Sequence, residues 1–537
     1  MKKSILILLL LFGTQYLKAQ QIESAFTLNG TSRSVGSDSY ISANGELYTL
    51  LYFTDSLFIP QLQKVFFSST LSRSAWVKQS ASGLLLMADT LPTRMNNNWL
   101  RKGPYFYTYG YQGSVAKYDS LMNLIWDKKI PLARAVAVDQ QDNLHACGHY
   151  QVNIDLDPDS ATSYPINSQG YYDIFNVKLN SSGNFLSGSG SGGIGADFTS
   201  DIVSDEFSNT IDVGGFFDQA YFPVGSNTLL HSSAVNQSDA YIRKRNKLGG
   251  LIWISQLKGV GNGANVVIDA IEKVSNGDLL VAGGLTGTVD FNPSNIHTQN
   301  LTASNYRGDA FLLRLDSLGQ LKWVKLLVGN LDEDINEITT DANGDIYLIG
   351  EFEGTVDFDP GIGLNNHTSL GATDGFVLRL DSVGTFKSVL AIGSTSFDAI
   401  NSISVKDEQN ILICGEYGAA MSLPSASGVI QLPAPPTSNY THFFSAKLNW
   451  SNLITNITEA KKAQQFTIFP NPSTDNIRIE IPQLKQGEAL EIRNLQGQLV
   501  HQQTVSTKAI SLELGHLADG IYLLRYGLEQ KKLVIQR

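Results

Sequence analysis

A motif that recurs at a nearly constant spacing constrains this chain more than any other sequence feature. Strand-like apolar runs end in a glycine at five positions, namely Gly148, Gly214, Gly283, Gly350 and Gly415. Successive glycines are 65 to 69 residues apart. A second marker keeps the same step, because an aspartate opens another strand-like run at Asp173, Asp239, Asp309 and Asp374. A fixed period of this kind indicates a repeated supersecondary unit.

The unit between residues 336 and 392 contains four strand patterns, separated by two tight turns and one long loop. In order, the strands span residues 336–340, 345–352, 374–380 and 385–392. The tight turns contain Gly344 and Gly384, which can adopt the positive φ that such turns need. Four antiparallel strands in each repeated unit predict the blades of an all-β fold, the β-propeller.

We expect seven blades, with six or eight as alternatives. Five units are clear between residues 134 and 450, and two degenerate units precede them, marked by runs at residues 44–48 and 105–110. Residues 22–28 would complete the last blade and close the ring. The predicted propeller therefore spans residues 22–450.

The two cysteines occupy equivalent positions in different repeats. Cys147 and Cys414 each precede a repeat glycine, in the units that we count as blades three and seven. A disulfide needs Cα atoms within about 7 Å, which such separated blades do not provide. We therefore predict two buried free thiols.

The first residues predict export. Lys2 and Lys3 precede an apolar run at residues 5–12, and Ala19 offers a small residue for cleavage, so residues 1–19 read as a signal peptide. This run is shorter than the roughly 18 residues that span a bilayer. No later segment is long and apolar enough either, so we expect no transmembrane segment in the mature chain. The net charge of −11, without a basic stripe, argues against a nucleic-acid partner.

The last part of the chain has a different pattern. Residues 451–465 lack a strong strand pattern and read as a linker. Residues 466–537 contain seven short alternating runs, which predict a small antiparallel β-sandwich.

Motifs in this last part resemble the type A sorting domain of the type IX secretion system. The matching residues occur in the family's order, at Phe469-Pro470-Asn471-Pro472-Ser473, Asn494-Leu495-Gln496-Gly497-Gln498, Gly520-Ile521-Tyr522-Leu523-Leu524 and Lys531-Lys532-Leu533-Val534-Ile535. The resemblance assigns the sorting motif to Pro470, Asn471, Pro472, Gly520, Tyr522, Lys531 and Lys532. It implies the type IX machinery as a partner, passage across the outer membrane, and release or attachment at the outer cell surface.

The repeats themselves resemble the β-propeller repeats of bacterial extracellular proteins. The match is closest at residues 287–293 and 354–360, where both segments contain Gly-Thr-Val-Asp-Phe. This resemblance implies a fold and a location, but no activity. The resulting expectation is a secreted or cell-surface binding or structural protein with a glycan or protein ligand.

Aspartates in the predicted long loops are the candidate ligand-binding residues. Calcium is the sharpest hypothesis, because hard cations take several oxygen ligands. The candidates are Asp155, Asp157, Asp159, Asp290, Asp357 and Asp359. The alternative is that they cap turns, since Asp-Pro commonly begins a turn.

The sequence provides no convincing catalytic or cofactor-binding residue. The competing function is a secreted hydrolase that acts on polysaccharide at the acidic long-loop face, because paired carboxylates can support glycosidase chemistry. Six Asp-Ser/Thr-apolar tripeptides also resemble a bacterial O-glycosylation sequon; they begin at Asp55, Asp89, Asp119, Asp159, Asp316 and Asp381.

Overall fold

The computed structural model describes most of the chain between Gln21 and Arg537. The described residues are 21–30, 32–68, 72–91, 98–110, 114–130, 132–224, 227–232, 237–294, 297–425, 428–436, 440–450, 466–481, 489–494, 498–526 and 529–537. The predicted signal peptide and the predicted linker lie outside these ranges. In the described part of the chain, no helix is long and apolar enough to cross a membrane.

Four-stranded antiparallel sheets, labelled A to G here, make up residues 21–450. Sheet A comprises Ser34–Ile41, Leu47–Phe53, Arg73–Gln79 and Leu85–Thr90. Sheet B comprises Asn98–Lys102, Tyr105–Tyr109, Val115–Tyr118 and Leu124–Lys128. Sheet C comprises Ala133–Val138, Leu144–Tyr150, Asp173–Leu179 and Phe185–Ser191. Each of these three sheets runs in chain order from its first strand to its fourth.

Sheets D and E share one long strand, Leu251–Lys273, whose two halves pair with different neighbours. Sheet D comprises Asp197–Ser204, Thr210–Phe217, Ser238–Arg245 and the first half of the shared strand. Sheet E comprises the second half, Leu279–Asp290, Asp309–Leu315 and Leu321–Gly329. Sheet F comprises Glu333–Thr340, Ile346–Phe352, Asp374–Leu380 and Phe386–Ile392. Sheet G comprises Asp398–Asp407, Asn410–Tyr417, His442–Asn449 and Gln21–Thr27.

The tight turns form as the sequence predicts. Gly344 and Gly384 have φ values of +82° and +81°, in the left-handed region that glycine adopts without a steric penalty. Strands rich in Ile, Leu, Val and Tyr follow these turns, and their two faces are buried against neighbouring sheets.

The first strands of sheets A to G form a closed ring. Each contacts the first strand of the next sheet, and that of sheet G contacts that of sheet A. Side chains also link them, since Asn336 Nδ2 donates to Ile400 O at 3.0 Å and Asn401 Nδ2 donates to Gly36 O at 2.9 Å. Sheets arranged around an axis in this way constitute a β-propeller, which confirms the predicted fold.

A β-bulge recurs in the first strand of most sheets and directs carboxylates toward the neighbouring sheet. The register shifts before Asp38, Ala135, Asp201, Ala270, Glu337 and Ser402. Three of these six residues are acidic, and each accepts an N–H from another first strand: Asp38 from Trp99 at 2.9 Å, Asp201 from Ile271 at 3.0 Å and Glu337 from Ile403 at 3.0 Å. The bulges thus re-aim side chains so that they connect adjacent sheets.

The N-terminal strand completes sheet G, as predicted. Gln21–Thr27 pairs antiparallel with His442–Asn449, and Ile22 lies opposite Leu448. Ile22 is fully buried in a cluster with Leu448 and Trp450. The two ends of the propeller sequence therefore meet within one sheet.

Both cysteines are buried and free, as predicted. The Cys147 Sγ donates to Ala135 O at 3.7 Å. Burial raises the pKa of the Cys147 thiol to about 12 and raises that of Cys414 well above its usual value. Neither thiol is a reactive nucleophile in this setting.

The long loops contain short strands that the sequence pattern did not indicate. Most lie between the second and third strands of a sheet, and some pair with the sheet itself. They are Asn29–Gly30, Ser56–Ile59, Lys64–Phe67, Ile154–Asp155, Pro165–Ile166, Gln219–Val224, Asn227–Ser232, Asn300–Thr302, Thr355–Asp357, Asn366–Thr368, Met421–Ser425 and Gly428–Leu432. A 3₁₀ turn at Pro60–Leu62 joins two of them.

The last residues form two further sheets around one core. Sheet H comprises Thr467–Phe469, Asn476–Glu480 and Ala509–Glu513. Sheet I comprises Ala489–Asn494, Leu499–Thr504, Gly520–Tyr526 and Glu529–Ile535. Alternate residues such as Ile477 and Ile479 enter the shared core, because successive side chains of a strand face opposite ways. Seven strands are thus present in this part of the chain, the number of alternating runs that the sequence predicts.

Candidate functional site

The aspartates at residues 155–159 accept hydrogen bonds from their own loop. Asp155 Oδ1 accepts the N–H of Asp157 at 3.0 Å and that of Tyr164 at 2.7 Å. Asp157 Oδ1 accepts the Asp159 N–H at 2.9 Å, and Asp159 Oδ1 accepts the Ala161 N–H at 3.0 Å. Each aspartate therefore forms an Asx turn, in which the side-chain oxygen accepts the backbone N–H two residues later and fixes the local backbone.

The other calcium candidates have the same arrangement in two different loops. Asp290 accepts N–H groups from Asn292 and Gln299, Asp357 from Asp359 and Asn365, and Asp359 from Gly361, at 2.8 to 3.1 Å. Within the described ranges, no group of three or more His, Cys, Asp or Glu side chains could hold a metal ion. The calcium site stays a prediction, whereas each of these six side chains accepts at least one backbone N–H of its own loop, as a turn-capping aspartate does.

The sorting motif residues come together from two ends of the C-terminal domain. Asn471 Nδ2 donates to Lys532 O at 2.7 Å, and its Oδ1 accepts the Val534 N–H at 2.8 Å. Ser473 extends this contact, since its N–H donates to Val534 O at 2.9 Å. The segment that contains Pro470 and Pro472 is thereby hydrogen-bonded to the terminal strand.

Gly520, Tyr522 and Lys531 belong to the same sheet. Gly520 is paired with Ile535, and Tyr522 is paired with Leu533. The Tyr522 hydroxyl donates to Ala518 O at 2.9 Å. Lys531 Nζ lies 5.4 Å from the centre of the Phe466 ring. The motif therefore supports the fold of sheet I, while its residues 495–497 lie outside the described ranges.

Lys532 points away from this core, yet its side chain is only 8% exposed. Its strand neighbour Leu533 faces the opposite way, into the core. The propeller covers Lys532, because its Nζ lies 3.6 Å from Oδ2 of Asp357, in the short loop strand Thr355–Asp357 that pairs with the last strand of sheet E. Burial raises the pKa of Asp309 to about 6, and the positive charge of Lys532 partly opposes this increase. A calcium candidate and a sorting-motif lysine thus form one ion pair between the two folded parts.

Residues 467–536 match the family described as the secretion system C-terminal sorting domain. This part of the chain is a type IX sorting domain. It directs export to the cell surface or the extracellular space and implies recognition by the type IX machinery, which confirms the predicted location.

Other similarities concern the propeller. Over 192 residues the chain is 26% identical to the uncharacterized WD repeat-containing protein L264 of Acanthamoeba polyphaga mimivirus, a match that covers 32% of this chain and 14% of that protein. The chain therefore spans only a small part of the relative's length. Among solved structures, it is similar to a Dyadobacter fermentans DSM 18053 protein of unknown function, at 9% identity and a TM-score of 0.38, over 80% of this chain and 99% of that one. The Dos1 propeller is similar at 10% identity and a TM-score of 0.37, over 79% and 95% of the two chains.

Glu333 begins the first strand of sheet F and lies near Asp309, the aspartate whose pKa the charge of Lys532 affects. It is 4% exposed, and both of its carboxylate oxygens lack a hydrogen-bond partner among the described residues. Burial, followed by the charges of Asp309, Asp332 and Asp334, raises its pKa to about 10. The sequence shows Glu333 only as one acid among several in a loop, so its burial was not foreseeable.

A buried ion-pair cluster between sheets C and D was missed by the sequence analysis. Arg243 Nη2 lies 2.6 Å from Asp212 Oδ2, and Arg245 Nε lies 3.2 Å from Asp212 Oδ1. All three side chains are at least nine-tenths buried. Arg243 also donates to Ser191 Oγ at 2.9 Å and to Asn176 Oδ1 at 2.6 Å, both in sheet C.

Four other sheets, C, E, F and G, have apolar residues where this cluster has charges. Asp212 and Arg243 face each other on the second and third strands of sheet D. The cross-strand pairs at the same repeat position are Ala146–Val177, Val281–Leu313, Leu348–Leu378 and Ile413–Ala446. Arg245 corresponds to Leu179, Leu315, Leu380 and Leu448. Aligning the repeats position by position would have revealed these exceptions, and buried charges are a recognised indication of function.

Proposed function

We propose that this protein is an exported β-propeller that serves as a binding or structural component at the cell surface or outside the cell. The observation that supports this proposal most is the joining of a sorting domain to a closed ring of sheets. The ring supplies a rigid scaffold, and its inter-strand loops supply variable surface, which is where binding residues are commonly placed.

The proposed propeller has seven blades, which are sheets A to G, and spans residues 22–450. Their common strand order and the closure of sheet G by the N-terminal strand support this count. Residues 1–19 would be the signal peptide and residues 451–465 the linker. Residues 466–537 would form the sorting domain, a β-sandwich of sheets H and I.

The proposed binding face is the propeller edge that carries the loops between second and third strands. These loops contain the short hairpins and most of the predicted aspartates, including Asp155, Asp290 and Asp357. Because their own carboxylates hold the loop backbones, the face is preorganised. We propose a glycan or a protein as its ligand.

Export can be tested in a bacterium that has a type IX system. Deleting residues 467–537 should leave the protein in the periplasm, as measured by immunoblots of periplasmic, surface and medium fractions. Asn471→Ala should reduce export, because it removes both contacts to the terminal strand. Asn476→Ala is the matched control, since this side chain is exposed. Normal export of the deletion variant would contradict the assignment.

Ligand binding can be tested with the purified full chain on glycan and protein arrays. Saturable binding without product formation supports a binding protein. Release of shortened glycans, detected by mass spectrometry, would instead establish the hydrolase alternative.

A further inference from the structure

A cavity of about 120 Å³ lies between sheets C and D, beside the Asp212 cluster. Its lining includes Asn176, Lys178, Ser189, Thr210 and Arg245. A water molecule occupies roughly 30 Å³ in the liquid, so the cavity has room for a few waters or for one small polyatomic ion. Its lining contains three cationic residues, Lys178, Arg245 and Lys247, and no Asp or Glu.

Asn176 contributes a donor that has no partner. Its Oδ1 accepts from Arg243 at 2.6 Å, so the orientation of the amide is set. Its Nδ2 is buried and makes no hydrogen bond within the described residues. A buried unpaired donor is costly, and here it belongs to a side chain that lines a cavity.

Arg245 contributes further donors. Its Nε is bonded to Asp212, whereas its two Nη groups have no hydrogen-bond partner among the described residues. Lys178 lies at the same cavity, where its Nζ is 3.1 Å from Asp139 and donates to Lys247 O at 3.0 Å. Guanidinium and ammonium groups prefer anionic oxygens as partners.

The charges around the cavity leave a positive excess. Lys178, Arg243 and Arg245 face only two carboxylates, Asp139 and Asp212. His145 bonds Asp139 at 3.1 Å, and burial lowers its pKa, so it adds no charge at neutral pH. These five side chains leave one unbalanced positive charge, and Lys247 at the cavity lining adds another, in a protein whose net charge is −11.

We propose that this cavity binds a small oxyanion, a carboxylate, sulfate or phosphate group, through Arg245, Lys178 and Asn176. The anion balances the excess charge and accepts from the unpaired donors. The group is either a free ion or the terminal group of a larger ligand such as an acidic sugar. None of the six candidate loop aspartates lines this cavity, and its cationic residues carry charge of the opposite sign.

The test uses the full chain and two lysines at equivalent repeat positions. Calorimetric titration with sulfate, phosphate, acetate and glucuronate is carried out at constant ionic strength. Lys178→Gln should weaken binding about tenfold or more, the loss expected for one charged hydrogen bond. Lys244→Gln is the matched control, because Lys244 pairs with Asp205 and does not line the cavity. Their side chains are 14% and 13% exposed.

Arg245→Leu provides a second variant, since leucine stands at this position in four other sheets. Its folding is checked by circular dichroism. Loss of binding in folded Arg245→Leu and in Lys178→Gln supports the site. If glucuronate binds more tightly than acetate, the ligand is the terminal carboxylate of an acidic sugar. If glucuronate and acetate bind equally, the ligand is a free ion. No saturable binding by any of the four anions, or equal binding by the two lysine variants, would overturn the proposal.

Discussion

At the scale of single residues, Glu333 shows how one neighbouring residue determines whether a buried carboxyl group has a hydrogen-bond donor and can ionise. Asp398 begins the first strand of sheet G as Glu333 begins that of sheet F. Asp398 accepts from both the N–H and the hydroxyl of Ser394. Four residues before Glu333 stands Gly329, which has no hydroxyl to donate. A Cβ there would lie 1.5 Å from Glu333 Oε1, so the glutamate occupies the space that the serine would need.

Glu333→Gln should therefore stabilise the protein above neutral pH. The folded pKa of about 10 exceeds the ordinary value of 4.5, so the folded state retains a proton that the unfolded state loses. Stability from this group is complete below about pH 4.5 and falls as pH rises toward 10. The glutamine variant should melt a few degrees higher at pH 8 than the wild type, with a smaller difference at pH 5.

Glu353→Gln is the control, because Glu353 lies nearer the surface and pairs with Arg307 at 2.6 Å. It should change the melting temperature little, as surface ion pairs contribute little. A destabilised Glu333→Gln variant at pH 8 would show that the carboxylate is needed in its ionised form.

At the scale of structural elements, the N-terminal strand has the largest consequence. It supplies the outer strand of sheet G and so joins the beginning of the chain to residues more than 400 positions away. Closing a ring in this way removes an exposed strand edge. Pairing strands so far apart in the chain has an unfavourable loop-closure entropy. Burial of the apolar side chains of this strand must offset that cost.

Ile22→Ala should destabilise the propeller by about 2–4 kcal/mol, the usual effect of truncating a buried aliphatic side chain. Urea unfolding followed by tryptophan fluorescence measures the change. Glu23→Ala is the control, because Glu23 faces outward and pairs with Lys447; its effect should stay below about 1 kcal/mol. Equal effects would mean that the strand does not seal the ring.

At the scale of the whole molecule, the Lys532–Asp357 pair joins the sorting domain to the propeller. Lys532→Gln should favour separation of the two parts by about tenfold or more, because it leaves Asp357 without the positive partner of a largely buried ion pair. Small-angle scattering should then show a larger maximum dimension, and amides near Asp357 should exchange faster.

Lys531→Gln is the control for this prediction, because Lys531 precedes Lys532 in the strand and contacts Phe466 within the sorting domain. It should leave both measurements unchanged. A wild-type protein that is already as extended as Lys532→Gln would contradict the contact.

The successful predictions from the sequence share a physical cause. Repeat spacing, glycines at positive φ and alternating strands such as Asn476–Glu480 reflect interactions between near neighbours. The cysteine prediction succeeded because the repeat places Cys147 and Cys414 in separate sheets. Local patterns therefore sufficed for the fold class, most strand positions and the sorting domain.

The arrangement of the candidate sites depends on contacts between distant residues. Lys532 meets Asp357, and Arg245 meets Asp212 beside a cavity, only because separate sheets pack together. The same packing leaves Nδ2 of Asn176 without a hydrogen-bond partner among the described residues. Period and turn chemistry act over a few residues and are visible in the chain itself, whereas burial and electrostatic balance arise between sheets and exist only once the chain has folded.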